Sequence, residues 1–174
     1  QIREMLRKEK DPLSNSKKLM NLFLRDREDH LKNTIEPFLK PRKSKIFRMR
    51  KIKEFLQKPN RQELNIVLCD RYYYSTIAFQ SVQGLNMKDL IEKNKSFRKP
   101  DIAFILDVEP SIALKRIEHR QKEKFEQLEF MKKIRENFLK LPKLLSDNIT
   151  IIDSSKPLHN VFENVKAEVD KILD

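Results

Sequence analysis

One glycine, one cysteine and no tryptophan occur in these 174 residues. The lone cysteine, Cys69, excludes an internal disulfide and a cysteine-based metal site, and it fits a reducing compartment, the cytoplasm. No apolar run approaches the ~20 residues that a membrane-spanning helix needs. The N-terminal stretch is charged from Arg3 onward and does not read as a secretory signal. His30, His119 and His159 show no metal-ligand spacing. Gly84 is the single glycine, where ordinary usage supplies about 7% of a chain. A natural α/β domain rarely forms its turns with so little of it. Together with a first residue that is Gln rather than Met, this predicts a fragment that lacks its glycine-rich part.

What is present is charge, and it is uneven. Lys and Arg number 38 against 26 Asp and Glu, a net charge of +12. Residues 40–61, KPRKSKIFRMRKIKEFLQKPNR, hold ten basic residues and one Glu, which leaves the rest of the chain close to neutral. Ile46, Met49, Ile52, Phe55 and Leu56 make an apolar stripe along that cationic segment, as on an amphipathic helix. Two readings follow: a surface for nucleic acid or another partner, or an accessory helix docked by its apolar side with a solvated charged face.

Three short apolar runs read as buried strands, Ile66–Cys69, Ile102–Leu106 and Ile149–Ile152. Each is continuous rather than alternating, as a strand covered on both faces is. Helical spacing marks residues 16–40, 111–121, 126–141 and 157–173, with Ser14 to Ser16 and Ser111 as candidate N-caps and Pro110 suited to a first turn. Strands alternating with helices imply a parallel sheet in an α/β fold. Ligands of such sheets sit beyond the carboxyl ends of the strands, where this sequence places Asp70, Asp107 and Asp153. At Asp107 and Asp153 the plainer reading is a helix cap. At Asp70 an arginine follows at once. A carboxylate that can hold Mg²⁺ then sits beside a guanidinium that can fork onto phosphate oxygens. A structural ion pair is the alternative.

The string DRYYYSTIAFQ, residues 70–80, resembles the Asp-Arg-Tyr/His-x-x-Ser-x-x-Ala-Tyr/Phe-Gln segment of thymidylate kinases. LFLRDREDHLKNTIEPFL (22–39), KPDIAFILDVEPSIALKRI (99–117), KFEQLEFMKKIRENFLKL (124–141) and IIDSSKPLHNVFENV (151–165) resemble further segments of that family, in family order. The resemblance implies a three-layer P-loop nucleotide-kinase fold, a parallel sheet covered by helices on both faces, as one domain over residues 1–174. It implies ATP-dependent phosphorylation of thymidine monophosphate to the diphosphate, with ATP and Mg²⁺, in a cytoplasmic homodimer. Another nucleotide or deoxynucleoside kinase is the alternative within that class. A non-catalytic relative that binds nucleic acid through 40–63 is the alternative outside it.

By the same resemblance Phe23 stacks on the base, and Arg27, four residues on, hydrogen-bonds its carbonyl. Asp70 is the metal-side acid, and Arg71 faces the acceptor phosphate. Tyr72, Ser75 and Phe79 close the base and sugar pocket, with Tyr73 and Tyr74 packing against it. Arg116, Ser155 and Lys156 lie along the donor adenine. Arg120, Lys122 and Lys124 belong to a lid at about 118–125 and reach the transferring phosphoryl group. Two departures stand out. The family's Gly-x-x-x-x-Gly-Lys-Ser/Thr loop, whose backbone N–H groups cradle the donor phosphates, cannot be drawn from one glycine, so the first two strands are expected outside this sequence. The basic insertion 41–63 replaces what is a short connection in typical relatives.

Overall fold

Two of the three apolar runs pair as strands in the computed structural model, which describes residues 2–8, 11, 13–40, 65–118 and 127–173. β1 (Ala103–Asp107) and β2 (Ile149–Asp153) lie parallel, with Ala103 opposite Ile149 and Asp107 opposite Asp153. The shared register sets both aspartates side by side at the carboxyl end of the sheet.

The third run is a correction. Ile66–Cys69 forms no ladder; Leu68 is 96% exposed and Ile66 60%. An apolar run becomes a buried strand only where a neighbour supplies backbone partners and a cover. Among the described residues β1 and β2 pair only with each other, and 66–69 joins neither of them.

The helices are α1 (Ile2–Lys8), α2 (Ser16–His30), α3 (Glu36–Leu39), α4 (Tyr73–Val82), α5 (Met87–Asn94), α6 (Pro110–Arg116), α7 (Leu128–Leu144) and α8 (Leu158–Leu173). The expected helix 16–40 is continuous from α2 to α3 through a widened π-helical turn, Leu31–Ile35. Pro37 accounts for the widening. It has no N–H to give, and its ring crowds the carbonyl of Asn33, four residues back. α6 ends at Arg116, earlier than expected, and Pro110 opens it as expected. No helix was expected over 87–94. α5 begins there at Asn86, whose Oδ1 accepts from the backbone N–H groups of Lys88 (2.9 Å) and Asp89 (3.3 Å), an N-cap. Gly84, with φ of 90°, turns the chain between α4 and α5, a backbone state that glycine adopts without cost.

α4 is the centre of the packing, and its residues Tyr73, Tyr74, Thr76, Ile77, Ala78 and Gln80 are all buried. A helix apolar on most sides belongs inside. One side meets Met20 of α2, Leu90 of α5 and Leu141 of α7, with Ala103, Ile105 and Ile149 of the sheet against that cluster. The other meets Leu19, Phe130 and Ile134. Each such aliphatic side chain withdrawn from water contributes about 1.5–3 kcal/mol. Ile152, which alternates to the opposite sheet face, is buried where α8 packs on β2. The sheet thus has helices on both faces, the α/β layering expected.

Residues 41–63, expected to be a basic insertion, lie outside the described residues. Their flanks do not: Asn65 Nδ2 donates to the carbonyl of Phe38 at 3.1 Å, so the chain leaves and re-enters the fold at one place. No described helix is long and apolar enough to cross a membrane.

Candidate functional site

A cavity of about 640 Å³ opens between α2, α4, α7, the segment 68–72 and the carboxyl end of β1. Most of the residues singled out by sequence meet there: Phe23, Arg27, Asp70, Arg71, Tyr72, Ser75 and Phe79 all line it. The spacing explains the gathering. Phe23 and Arg27 are one turn apart on α2, and Ser75 and Phe79 one turn apart on α4, so each pair shares a face.

Arg27 is buried at 9% exposure. Its Nη1 donates to Asn94 Oδ1 and its Nη2 to Thr76 Oγ1, both at 2.9 Å. The rings of Tyr72 and Phe97 stand 5.3 and 5.4 Å from its guanidinium carbon, within the range of a cation–π attraction. Burial lowers its pKa, against the opposing pull of Tyr72 and Asp26. No carboxylate forms an ion pair with it among the described residues.

Asp70 and Arg71 are exposed on the cavity wall and form no ion pair with each other or with another described residue. The alternative of a structural pair has no contact behind it. Arg71 holds a left-handed backbone, φ 64°, a strain of about 1–2 kcal/mol for a side chain of this kind. Its guanidinium lies 4.9 Å from the centre of the Phe79 ring. Asp70 is the carboxylate that the sequence singled out for a metal. No group of three or more His, Cys, Asp and Glu gathers as a metal site among the described residues. A lone unpaired carboxylate still suits Mg²⁺, which keeps several waters and takes one or two carboxylates beside substrate phosphates.

The three tyrosines divide. Tyr72 faces the cavity, and its hydroxyl donates to the carbonyl of Arg98 at 3.0 Å. Burial pushes that phenol up to about 12, with Arg27 pulling the other way. Tyr73 and Tyr74 do not line the cavity themselves: the Tyr73 ring packs behind the Tyr72 ring at 4.7 Å, and the Tyr74 ring on Tyr73 at 4.4 Å. Successive helical residues point about 100° apart, and these two turn into the core. There both hydroxyls donate to Asp147 Oδ2, Tyr74 at 2.8 Å. The Asp147 side chain is 3% exposed, and Lys99 pairs with its Oδ1 at 3.1 Å.

Asp107 and Asp153 cap no helix, a second correction. Arg135 takes Asp107 in two hydrogen bonds and also binds Glu109. Glu109 therefore precedes α6 without a capping bond of its own. Asp153 Oδ1 closes a turn by accepting from Ser155 N at 2.9 Å and Ser155 Oγ at 2.6 Å. Arg116 donates to the carbonyls of Ser154 (3.0 Å) and Ser155 (3.3 Å), and Lys156 lies 3.9 Å from Asp153. Arg116, Ser155 and Lys156 are thus brought together, at the turn after β2 and not in the cavity wall. Arg120, Lys122 and Lys124 lie outside the described residues.

The sequence reading missed Asn94, Arg135 and Asp147. Their partners are 67, 28 and 73–74 residues away, and no periodicity reports such distances. Gln80 also lines the cavity, and its Oε1 is buried without a hydrogen-bond donor among the described residues.

The family model described as thymidylate kinase matches residues 46–165. A protein of Archaeoglobus fulgidus named probable thymidylate kinase is 34% identical over 157 residues, 89% of this chain and 67% of that protein. One of Methanococcus maripaludis with the same name is 44% identical over 119 residues, 62% of this chain and 58% of that protein. A thymidylate kinase of Leptospira borgpetersenii is 38% identical over 147 residues, 82% of this chain and 60% of that protein. The chain spans between about half and two thirds of the length of the curated relatives it matches.

Proposed function

The chain belongs to the thymidylate kinase family, and from that premise we propose that its cavity is the acceptor site of an enzyme that phosphorylates thymidine monophosphate at the expense of ATP. The observation that carries this reading is Arg27. A buried cation with neutral partners has charge to offer a ligand carbonyl, and Phe23, one turn away, gives the base an aromatic surface to stack on.

In the reaction an oxygen of the nucleotide's 5′-phosphate bonds to the γ-phosphorus of ATP, and the bond from that phosphorus to the β,γ-bridging oxygen breaks, which releases ADP. Such a transfer asks the protein for positioning and charge stabilisation rather than covalent chemistry. Arg71, beside Phe79 and without an ion-pair partner among the described residues, is assigned to the acceptor phosphate. Tyr72, Ser75 and Phe79 are assigned to the base and sugar walls. Asp70 would hold Mg²⁺, which when bound offsets the charge gathering on the phosphate oxygens. Arg116, Ser155 and Lys156 are assigned to the donor adenine, and Arg120, Lys122 and Lys124 to the transferring group. The donor phosphates find no cradle in these residues. The one glycine, Gly84, serves the α4–α5 turn, so turnover needs a phosphate-binding loop that the 174 residues do not contain. A cytoplasmic homodimer completes the proposal.

Calorimetric titration with thymidine monophosphate and deoxycytidine monophosphate tests the reading. Arg27→Ala is expected to weaken the thymidine nucleotide by about 1–3 kcal/mol and to narrow its advantage over the cytosine one. Unchanged affinity and selectivity would remove the base-site assignment.

A further inference from the structure

Asn94 is 2% exposed and does not line the cavity, yet it touches the side chain assigned to the base. Its amide has no freedom to turn. Nδ2 donates to the carbonyl of Leu90 at 2.7 Å, one turn back on α5, and this fixes Oδ1 as the atom that faces Arg27 Nη1. Thr76 Oγ1 receives Nη2 from the opposite helix. Two acceptors on two helices hold the guanidinium fork in one plane, and the rings of Tyr72 and Phe97 bound it.

We propose that Asn94 is the positioning residue of base recognition, a buried amide that aims Arg27 into the cavity without meeting the ligand itself. The proposal rests on the reading that Arg27 binds the C4 carbonyl of a pyrimidine nucleotide. Thymine presents an acceptor at that position and cytosine an amino donor. A guanidinium held rigidly places donor against donor when cytosine enters, and neither group is then satisfied. A guanidinium free to swing avoids the clash and loses the discrimination. A neutral holder also matters. A carboxylate in its place would take up the positive charge in an ion pair, whereas an amide orients the fork and leaves the charge for the ligand.

The test is calorimetric titration of the protein and its variants with thymidine monophosphate and deoxycytidine monophosphate, read as the ratio of the two affinities. Asn94→Leu is expected to lower that ratio roughly tenfold. In the Arg27→Ala background the same substitution is expected to change nothing further, because the two residues act as one unit. Asn94→Asp keeps an oxygen facing Nη1 but draws the guanidinium into an ion pair, so both affinities are expected to fall while their ratio holds within about threefold of the parent. If Arg27→Ala erases the preference while folded Asn94→Leu keeps it, the proposal is overturned and the base-site reading stands. If Arg27→Ala itself leaves the preference intact, the base-site reading fails and takes this proposal with it. Should Asn94→Leu not fold, Asn94→Ser decides: it withdraws the oxygen from Arg27 Nη1, and a ratio within about threefold of the parent overturns the role.

Discussion

Arg135 Nε lies 2.7 Å from Asp107 Oδ1, and its Nη2 lies 3.0 Å from Asp107 Oδ2, a two-pronged ion pair at the end of β1. Asp70 faces the same cavity and has no such partner among the described residues. The two aspartates look alike in sequence, each after an apolar run. In the fold one is paired and ties α7 to the sheet, while the other has no ion-pair partner among the described residues. The Asp107 carboxylate, above all, raises the pKa of Arg135, with Glu109 adding to it.

Arg135→Met should therefore cost stability, about 1–3 kcal/mol, because Asp107 is left half-buried with no partner. Replacing both residues, Asp107→Asn with Arg135→Gln, should recover part of the loss. Urea unfolding followed by circular dichroism measures both, and a change below about 0.5 kcal/mol for Arg135→Met would mean that the pair is solvated ornament.

Asp70→Asn should lower kcat far more than it raises KM when turnover of the whole protein is measured. Metal positioning counts most in the transition state, and a lost transition-state contact appears in kcat. Equal losses in kcat and affinity would point to a role in holding the site's shape.

Asp147 should make stability fall at both ends of the pH scale. Burial works against its charge, but the hydrogen bonds from Tyr73, Tyr74 and Lys99 outweigh it and lower its pKa below the ordinary 3.8. A lowered carboxylate pKa adds stability that is present above the ordinary value and lost as pH falls through the folded one. Tyr73 and Tyr74 are raised above the ordinary 10.0, first by burial, with the hydrogen bonds to Asp147 adding to it. Their contribution is intact below pH 10.0 and lost as the pH climbs past it. Urea midpoints measured against pH should show both edges. Asp147→Asn should remove most of the acid edge; an unchanged acid edge would assign it to other carboxylates.

Segment 41–63 should be dispensable for turnover. Asn65 and Phe38 already touch at 3.1 Å, so a short turn can close the gap between them. Steady-state kinetics of that variant of the whole protein should give kcat/KM within about threefold of the whole parent protein, a barrier change under about 1 kcal/mol. A collapse of kcat/KM would make the segment part of the working site.

The 174 residues on their own should show no phosphoryl transfer from ATP. Basic side chains attract a triphosphate but do not replace a nest of backbone N–H groups at a helix N-terminus. A coupled assay for ADP release settles it: nucleotide-dependent turnover above background would mean that another part of the chain cradles the donor.

The sequence by itself determined what is local. Continuous apolar runs marked β1 and β2, helical spacing marked α2, α7 and α8, and the i, i+4 pairs Phe23–Arg27 and Ser75–Phe79 were set on shared faces, because side-chain direction follows from the period of the backbone. Motif order did the rest for Asp70 and Arg71. Only the tertiary structure decided what depends on a distant partner. Ile66–Cys69 has every mark of a buried strand and lies exposed, since burial is a property of the neighbour and not of the run. Three identical tyrosines separate into one cavity residue and two anchors because Asp147 lies on one side of α4 only. Asp107 binds Arg135 where Asp70 binds nothing described, and Asn94 meets Arg27 across 67 residues. These contacts join chain segments whose separation leaves no periodic trace, so their energies are fixed when the helices pack and not before.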